Sequence, residues 1–122
     1  MKALVVDDSE VMRKVLIGAL SRAGISDVDQ AVDGAEAVEK MGSTEYGLVL
    51  LDWYMPNKLG IDVVKEVRKA GNKVPIIMVT TEAEKTRVIE ALKAGANNYI
   101  IKPFEPSAIV AKIKEVIAKV DS

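Results

Sequence analysis

Apolar residues in this chain fall into two kinds of run, which alternate along its length. The first kind is short and unbroken: Ala3 to Val6, Leu48 to Leu51, Ile76 to Val79 and Tyr99 to Ile101. Strands buried on both faces read this way, because neither face meets water. A weaker run, Val28 to Val32, predicts a more exposed edge strand. The second kind recurs at helical spacing. Val11, Val15, Leu16, Ala19 and Leu20 form the first stripe, and a short helix is expected over Ala35 to Met41. Ile61, Val64 and Val67 form the next, followed by Val88, Ile89 and Leu92. Ile109, Ile113, Val116, Ile117 and Val120 form the last. Gly24, Gly42, Gly71 and Gly95 each sit where a helix needs a left-handed closing residue.

A strand followed by a helix therefore repeats five times. That alternation predicts an α/β domain, a parallel sheet with helices on both faces. Right-handed crossovers make it doubly wound. A closed barrel of eight such units needs about twice the length. No linker or low-complexity stretch interrupts the series, so residues 1–122 are expected to form one domain with no output domain attached.

Composition narrows the chemistry more than the fold. The 122 residues fit one domain of common size, and 49% are hydrophobic, enough for one core. Lys and Arg total 17 against 18 for Asp and Glu, a net charge of -1. That balance gives no support for a nucleic-acid or membrane-surface binder. No apolar run approaches the roughly 20 residues of a membrane span, and the start lacks a signal peptide's apolar stretch. A cytoplasmic location is expected. There is no cysteine, hence no disulfide or thiolate, and no histidine, hence no imidazole base or ligand. Carboxylates, hydroxyls, lysine and a bound ion remain.

In open sheets of this kind, ligands bind at the carboxyl ends of the strands. Those ends carry Asp7 and Asp8, then Asp52, then Thr80 and Thr81, then Lys102. Each has an ordinary explanation. Asp8 or Ser9 could cap the first helix, Thr80 suits a strand, and Lys102 could be a solvated surface lysine. Together they are chemically coherent. Three crowded carboxylates raise one another's pKa, and a hard divalent cation such as Mg²⁺ relieves the repulsion. Asp52 is then placed as a nucleophile that forms an aspartyl phosphate. Lys102 and the Thr80 hydroxyl are placed to stabilise the phosphoryl oxygens.

VVDDS, LLDWYMP, VTT and IIKPF occur in that order and at suitable spacing. With these motifs the whole chain resembles a response-regulator receiver domain of the CheY-like, single-domain kind. The resemblance implies a flavodoxin-like sheet of strand order 2-1-3-4-5. It implies phosphorylation of Asp52 by the phosphohistidine of a sensor histidine kinase. Mg²⁺ would be bound by Asp8, Asp52 and the Tyr54 backbone carbonyl, with Asp7 acting through a bound water. Lys102 would pair with the phosphoryl group, and Lys102–Pro103 would be cis. Thr80 and Tyr99 would be the switch pair. Output would pass to a downstream protein through the fourth helix, fifth strand and fifth helix, in chemotaxis, motility or a phosphorelay, with a phosphatase as a further candidate partner.

Two departures from the family pattern stand beside the site. Tyr54, two past Asp52, is large and aromatic, and Thr81 replaces a frequent small residue. With Glu82, two past Thr80, they are expected to tune the lifetime of the phosphoryl group. Lys58 and Leu59 also differ from the family's frequent pair there. The competing reading is a Mg²⁺-dependent phosphohydrolase with an aspartyl nucleophile. Such enzymes carry a second Asp where this chain has Tyr54. A flavin or nucleotide binder is disfavoured because DDSEV lacks the glycines that cradle phosphate.

Overall fold

The computed structural model describes residues 1–121. The strands are β1 (Lys2–Val6), β2 (Asp27–Ala31), β3 (Leu48–Leu51), β4 (Ile76–Thr80) and β5 (Asn98–Ile101). The helices are α1 (Glu10–Arg22), α2 (Gly34–Ser43), α3 (Gly60–Lys69), α4 (Lys85–Ala94) and α5 (Pro106–Asp121). All neighbouring strands are parallel, in the expected order β2-β1-β3-β4-β5.

Three of the four unbroken apolar runs, in β1, β3 and β4, form the buried centre of the sheet. The fourth lies in β5, an edge strand, where Tyr99 is half-buried and Ile101 exposed, because only one side of an edge strand is covered by a neighbour. Leu4, Val6, Val49, Leu51, Ile76 and Met78 pack toward α2, α3 and α4. Ala3, Val5, Leu48, Leu50, Ile77 and Val79 pack toward α1 and α5. Each large aliphatic side chain fully buried there contributes roughly 1.5–3 kcal/mol. β2 lies at one edge, and its polar residues, with Asp27 and Gln30 exposed, keep that edge from pairing with another chain.

The helices correct three expectations. In α1 the buried residues are Leu16, Ala19 and Leu20, while Val11 and Val15 are 72% and 40% exposed. The packed row keeps Leu16, Ala19 and Leu20 of the expected stripe and adds Met12, partly buried, in place of Val11 and Val15. In α4 only Ala91 is buried, and Val88, Ile89 and Leu92 do not form the core stripe. Small alanines face the sheet there and the larger residues face outward. Gly42 does not follow α2 but lies in its last turn, and an extended Thr44 ends the helix. Gly24, Gly71 and Gly95 do adopt φ of 91°, 86° and 123°. In α5, Ile109, Ile113 and Val116 are buried as expected. The side chain of Val120 lies outside the described residues.

Two features brace opposite ends of the sheet. At the carboxyl end, the loop after β3 folds back so that the Gly60 amide donates to the Trp53 carbonyl at 2.7 Å. A β-carbon at position 60 would lie 2.0 Å from the Asp52 carbonyl oxygen. Gly60→Ala should therefore lower stability by about 2 kcal/mol through overpacking, and the melting temperature by several degrees. An unchanged thermal melt would contradict so close an approach. At the amino-terminal end, the Arg68 guanidinium donates to the carbonyls of Gly95 (3.1 and 2.8 Å) and Asn72 (2.9 Å). It also reaches Asn97 Oδ1, which accepts from the Ile76 amide at 2.8 Å.

Candidate functional site

Strand register brings the chemistry together. Val6 pairs with Leu51, and Thr80 with Ile101. Asp7, Asp52 and Lys102 each come one residue beyond a paired position, and Thr80 ends β4. The Asp52 amide donates to the Val6 carbonyl at 3.0 Å, and the Lys102 amide to the Thr80 carbonyl at 2.9 Å. The residues expected to converge do so at one edge of the sheet.

Asp7, Asp52 and Thr80 are the buried polar residues among those described. Lys102 Nζ lies 2.8 Å from Asp7 Oδ2 and 3.3 Å from Asp52 Oδ2. Its side chain is only 13% exposed, so it is not the solvated surface lysine of the ordinary explanation. The other carboxylate oxygens are held by backbone: Asp7 Oδ1 accepts from the Ser9 amide at 2.9 Å and Asp52 Oδ1 from the Trp53 amide at 2.7 Å. Asp8 is exposed, and no hydrogen bond to its side chain occurs among the described residues. The ordinary reading of Asp8 as helix cap falls away, because Ser9 is the N-cap of α1, its Oγ accepting from the Met12 amide at 3.2 Å.

Carboxylate oxygens of Asp7, Asp8 and Asp52 lie within 4.8 Å of one another. This is a set of hard oxygen donors with more negative charge than the one lysine offsets, and its chemistry fits a divalent cation. Burial pushes the Asp52 carboxyl above the usual carboxylate range. The Thr80 hydroxyl, the Lys102 ammonium and the Trp53 amide pull it down, and Asp7 pushes it up. A buried carboxyl between opposing charges has the environment of a reactive group.

A second cluster borders the first. Glu82 receives the Tyr54 hydroxyl on its carboxylate and the Tyr99 hydroxyl on its backbone carbonyl, the latter at 2.6 Å. Its amide donates to Thr80 Oγ1 at 3.2 Å. Glu82 thus joins the residue two past Asp52 to both members of the expected switch pair. Burial, then the Glu82 charge, pushes the Tyr99 hydroxyl up to about 12. The bond to Glu82 also pushes the Tyr54 hydroxyl up. Tyr54 is half exposed and Thr81 is exposed at the rim. The Lys102–Pro103 bond is cis, as expected.

One contact escaped the sequence. Arg13 Nη1 donates to the Asp7 carbonyl at 2.8 Å, and Nε to Gln30 Oε1 at 2.9 Å. An arginine on a helix next to exposed residues reads as surface, and no periodicity marks its reach back to the strand end.

Comparison with known proteins agrees with this geometry. The sequence profile described as response regulator receiver domain matches residues 3–114. Chemotaxis protein CheY1 of Helicobacter pylori is 48% identical over 124 residues, covering 99% of this chain and 100% of the relative. The chemotaxis protein CheY homolog of Campylobacter jejuni is 48% identical over 120 residues, covering 96% and 92%. Among solved structures, a two-component response regulator from Clostridium difficile superposes with a TM-score of 0.91 at 29% identity, covering 100% of this chain and 99% of that one. Vibrio cholerae CheY4 gives a TM-score of 0.84 at 34% identity, covering 94% and 97%. No helix among the described residues is long and apolar enough to cross a membrane. With the profile matched over most of its length and a relative nearly half identical end to end, the chain belongs to the response-regulator receiver-domain family.

Proposed function

We propose that this receiver domain is a cytoplasmic, Mg²⁺-dependent switch phosphorylated on Asp52 by the phosphohistidine of a sensor kinase. The observation that carries the reading is the shared lysine, with Lys102 Nζ between the buried Asp7 and Asp52 and the exposed Asp8 beside them. Asp8, Asp52 and the Tyr54 carbonyl would hold the ion, and Asp7 would act through a bound water. When bound, Mg²⁺ would supply neutralisation of charge on the transferring phosphoryl oxygens.

The chain's own residues do the rest. An Asp52 carboxylate oxygen attacks phosphorus, the phosphorus–nitrogen bond of the donor breaks, and the imidazole leaves with the electron pair. Lys102 keeps a positive charge on the phosphoryl side, and Thr80 offers a hydroxyl to one of its oxygens. Hydrolysis restores the carboxylate when water attacks phosphorus and the bond to Asp52 oxygen breaks. Incubation with acetyl phosphate and Mg²⁺ tests the reading by intact mass. One added phosphoryl group, lost when EDTA replaces Mg²⁺, is expected. No addition would overturn it.

Thr80 and Tyr99 are the proposed switch, coupled through Glu82. The proposed output face is α4, β5 and α5, where Ile89, Leu92 and Ile101 are 40%, 44% and 43% exposed. Exposed large apolar residues on these elements suit a protein partner. The names of the Helicobacter and Campylobacter relatives support a role in chemotaxis.

Tyr54, Thr81 and Glu82 are proposed to set the lifetime of the phosphoryl group. Tyr54 is half exposed and tied to Glu82, which supports the proposal that its ring borders the path of the attacking water. A displacement of about 1 Å in a reacting group can change rate about a hundredfold. Tyr54→Asn, which removes the ring, should speed loss of the phosphoryl group on the order of tenfold. Following decay after donor removal measures this, and equal decay in the two proteins would refute it.

A further inference from the structure

We infer that Arg13, held by Gln30, is a positioning residue for the acidic pair and sets the affinity of the pocket for Mg²⁺. The inference rests on the Mg²⁺ reading above and concerns residues that reading does not use.

Asp7 is pinned on three sides. Its two carboxylate oxygens take the Ser9 amide and Lys102, and its carbonyl takes the Arg13 guanidinium at 2.8 Å. Asp8 has no such support for its side chain among the described residues. Its direction depends on the plane of the Asp7–Asp8 peptide, and the oxygen of that peptide is the atom Arg13 holds. Charge-assisted bonds of this kind are the stronger ones, and a guanidinium aims its donors in a fixed fork. The fork is itself oriented, because Nε is fixed on Gln30 Oε1 at 2.9 Å. Gln30 belongs to β2, the strand paired beside β1, with Gln30 opposite Val5. A helix and an edge strand therefore hold the peptide that aims Asp8 into the pocket.

Two accounts of Arg13 predict opposite signs. If it acted only as a nearby positive charge, its removal would favour a cation and tighten Mg²⁺ binding. As a positioning residue, its removal frees the peptide and weakens binding. Outer supports of metal ligands cost about 10- to 100-fold in affinity when removed. Mg²⁺ keeps several of its waters and takes few protein ligands, so the lower end of that range, about tenfold, is expected here.

The test is calorimetric titration of Mg²⁺ into wild type, Arg13→Ala, Arg13→Lys and Gln30→Ala, beside thermal melts of each in EDTA. Arg13→Ala should raise the Kd about tenfold. Gln30→Ala should raise it less, since the guanidinium loses its guide but keeps its bond. Arg13→Lys, able to keep one donor on the Asp7 carbonyl, should fall between wild type and Arg13→Ala. An Arg13→Ala Kd equal to or tighter than wild type would overturn the inference, including the case where only the melt in EDTA drops. Should Arg13→Ala fail to fold, an unchanged Kd in both Gln30→Ala and Arg13→Lys overturns it. Absence of Mg²⁺ binding in wild type would instead remove the reading beneath it.

Discussion

Exposed to acetyl phosphate and Mg²⁺, the wild-type chain should gain one phosphoryl group and Asp52→Asn none. Three carboxylates crowd the pocket, so the choice among them needs a reason. Asp7 is engaged on both oxygens, by Lys102 at 2.8 Å and by the Ser9 amide at 2.9 Å. Asp8 is exposed and has no lysine beside it among the described residues. Asp52 is buried and has one oxygen fixed by the Trp53 amide, while the other lies at a looser 3.3 Å from Lys102. That oxygen is oriented, partly desolvated and close to the cation that a phosphoryl group would also need. Asparagine keeps an oxygen for the Trp53 amide, so Asp52→Asn should fold like wild type and fail only in chemistry. Intact mass with peptide mapping checks both points. Persistent labelling of Asp52→Asn, on Asp7 or Asp8, would reassign the acceptor.

In EDTA, Asp8→Asn should melt a few degrees above wild type, and in Mg²⁺ the order should reverse. Lys102 already serves Asp7 and Asp52, so Asp8 adds repulsion with no salt bridge of its own among the described residues. The repulsion exists only when the fold brings the three groups within 4.8 Å. Neutralising Asp8 removes it and breaks no hydrogen bond found among the described residues, and a small gain in stability moves the melt of a domain this size by several degrees. Mg²⁺ binds the folded form alone, and at a hundredfold excess over Kd it stabilises by about 2.7 kcal/mol. Asp8→Asn, lacking one proposed ligand, should gain much less. Wild type melting higher in EDTA, or gaining no more than the variant from Mg²⁺, would defeat the metal-site reading.

Much of this molecule was legible in its sequence, for identifiable reasons. β1, β3 and β4 are buried on both faces, and their unbroken apolar runs follow from that burial. Asp7, Asp52, Thr80 and Lys102 sit at or just past strand ends, so finding the strands found the pocket. The helices were less legible because the packed row of α1 takes Met12 in place of Val11 and Val15. In α4 the side chain that approaches the core is an alanine, which stripe reading undervalues. The Gly42 stop failed because an extended Thr44 could end α2 without a left-handed residue. Arg13 with the Asp7 carbonyl and the Gln30 side chain, and Tyr54 with Glu82, are contacts that no local periodicity records. Seventeen residues separate Arg13 from Gln30, and 28 separate Tyr54 from Glu82.

The Arg68 knot lies at the amino-terminal end of β4 and β5, and the acidic pocket lies at the other. A strand of five residues sets them roughly 13 Å apart at about 3.3 Å per residue. Substitutions separated by more than about 7–10 Å and sharing no partners add nearly independently. A descendant of this chain could therefore lose its chemistry by drift and remain a folded protein. Conversely, a laboratory evolving a faster or slower switch could reinforce the knot first and spend the added tolerance on changes around Asp52.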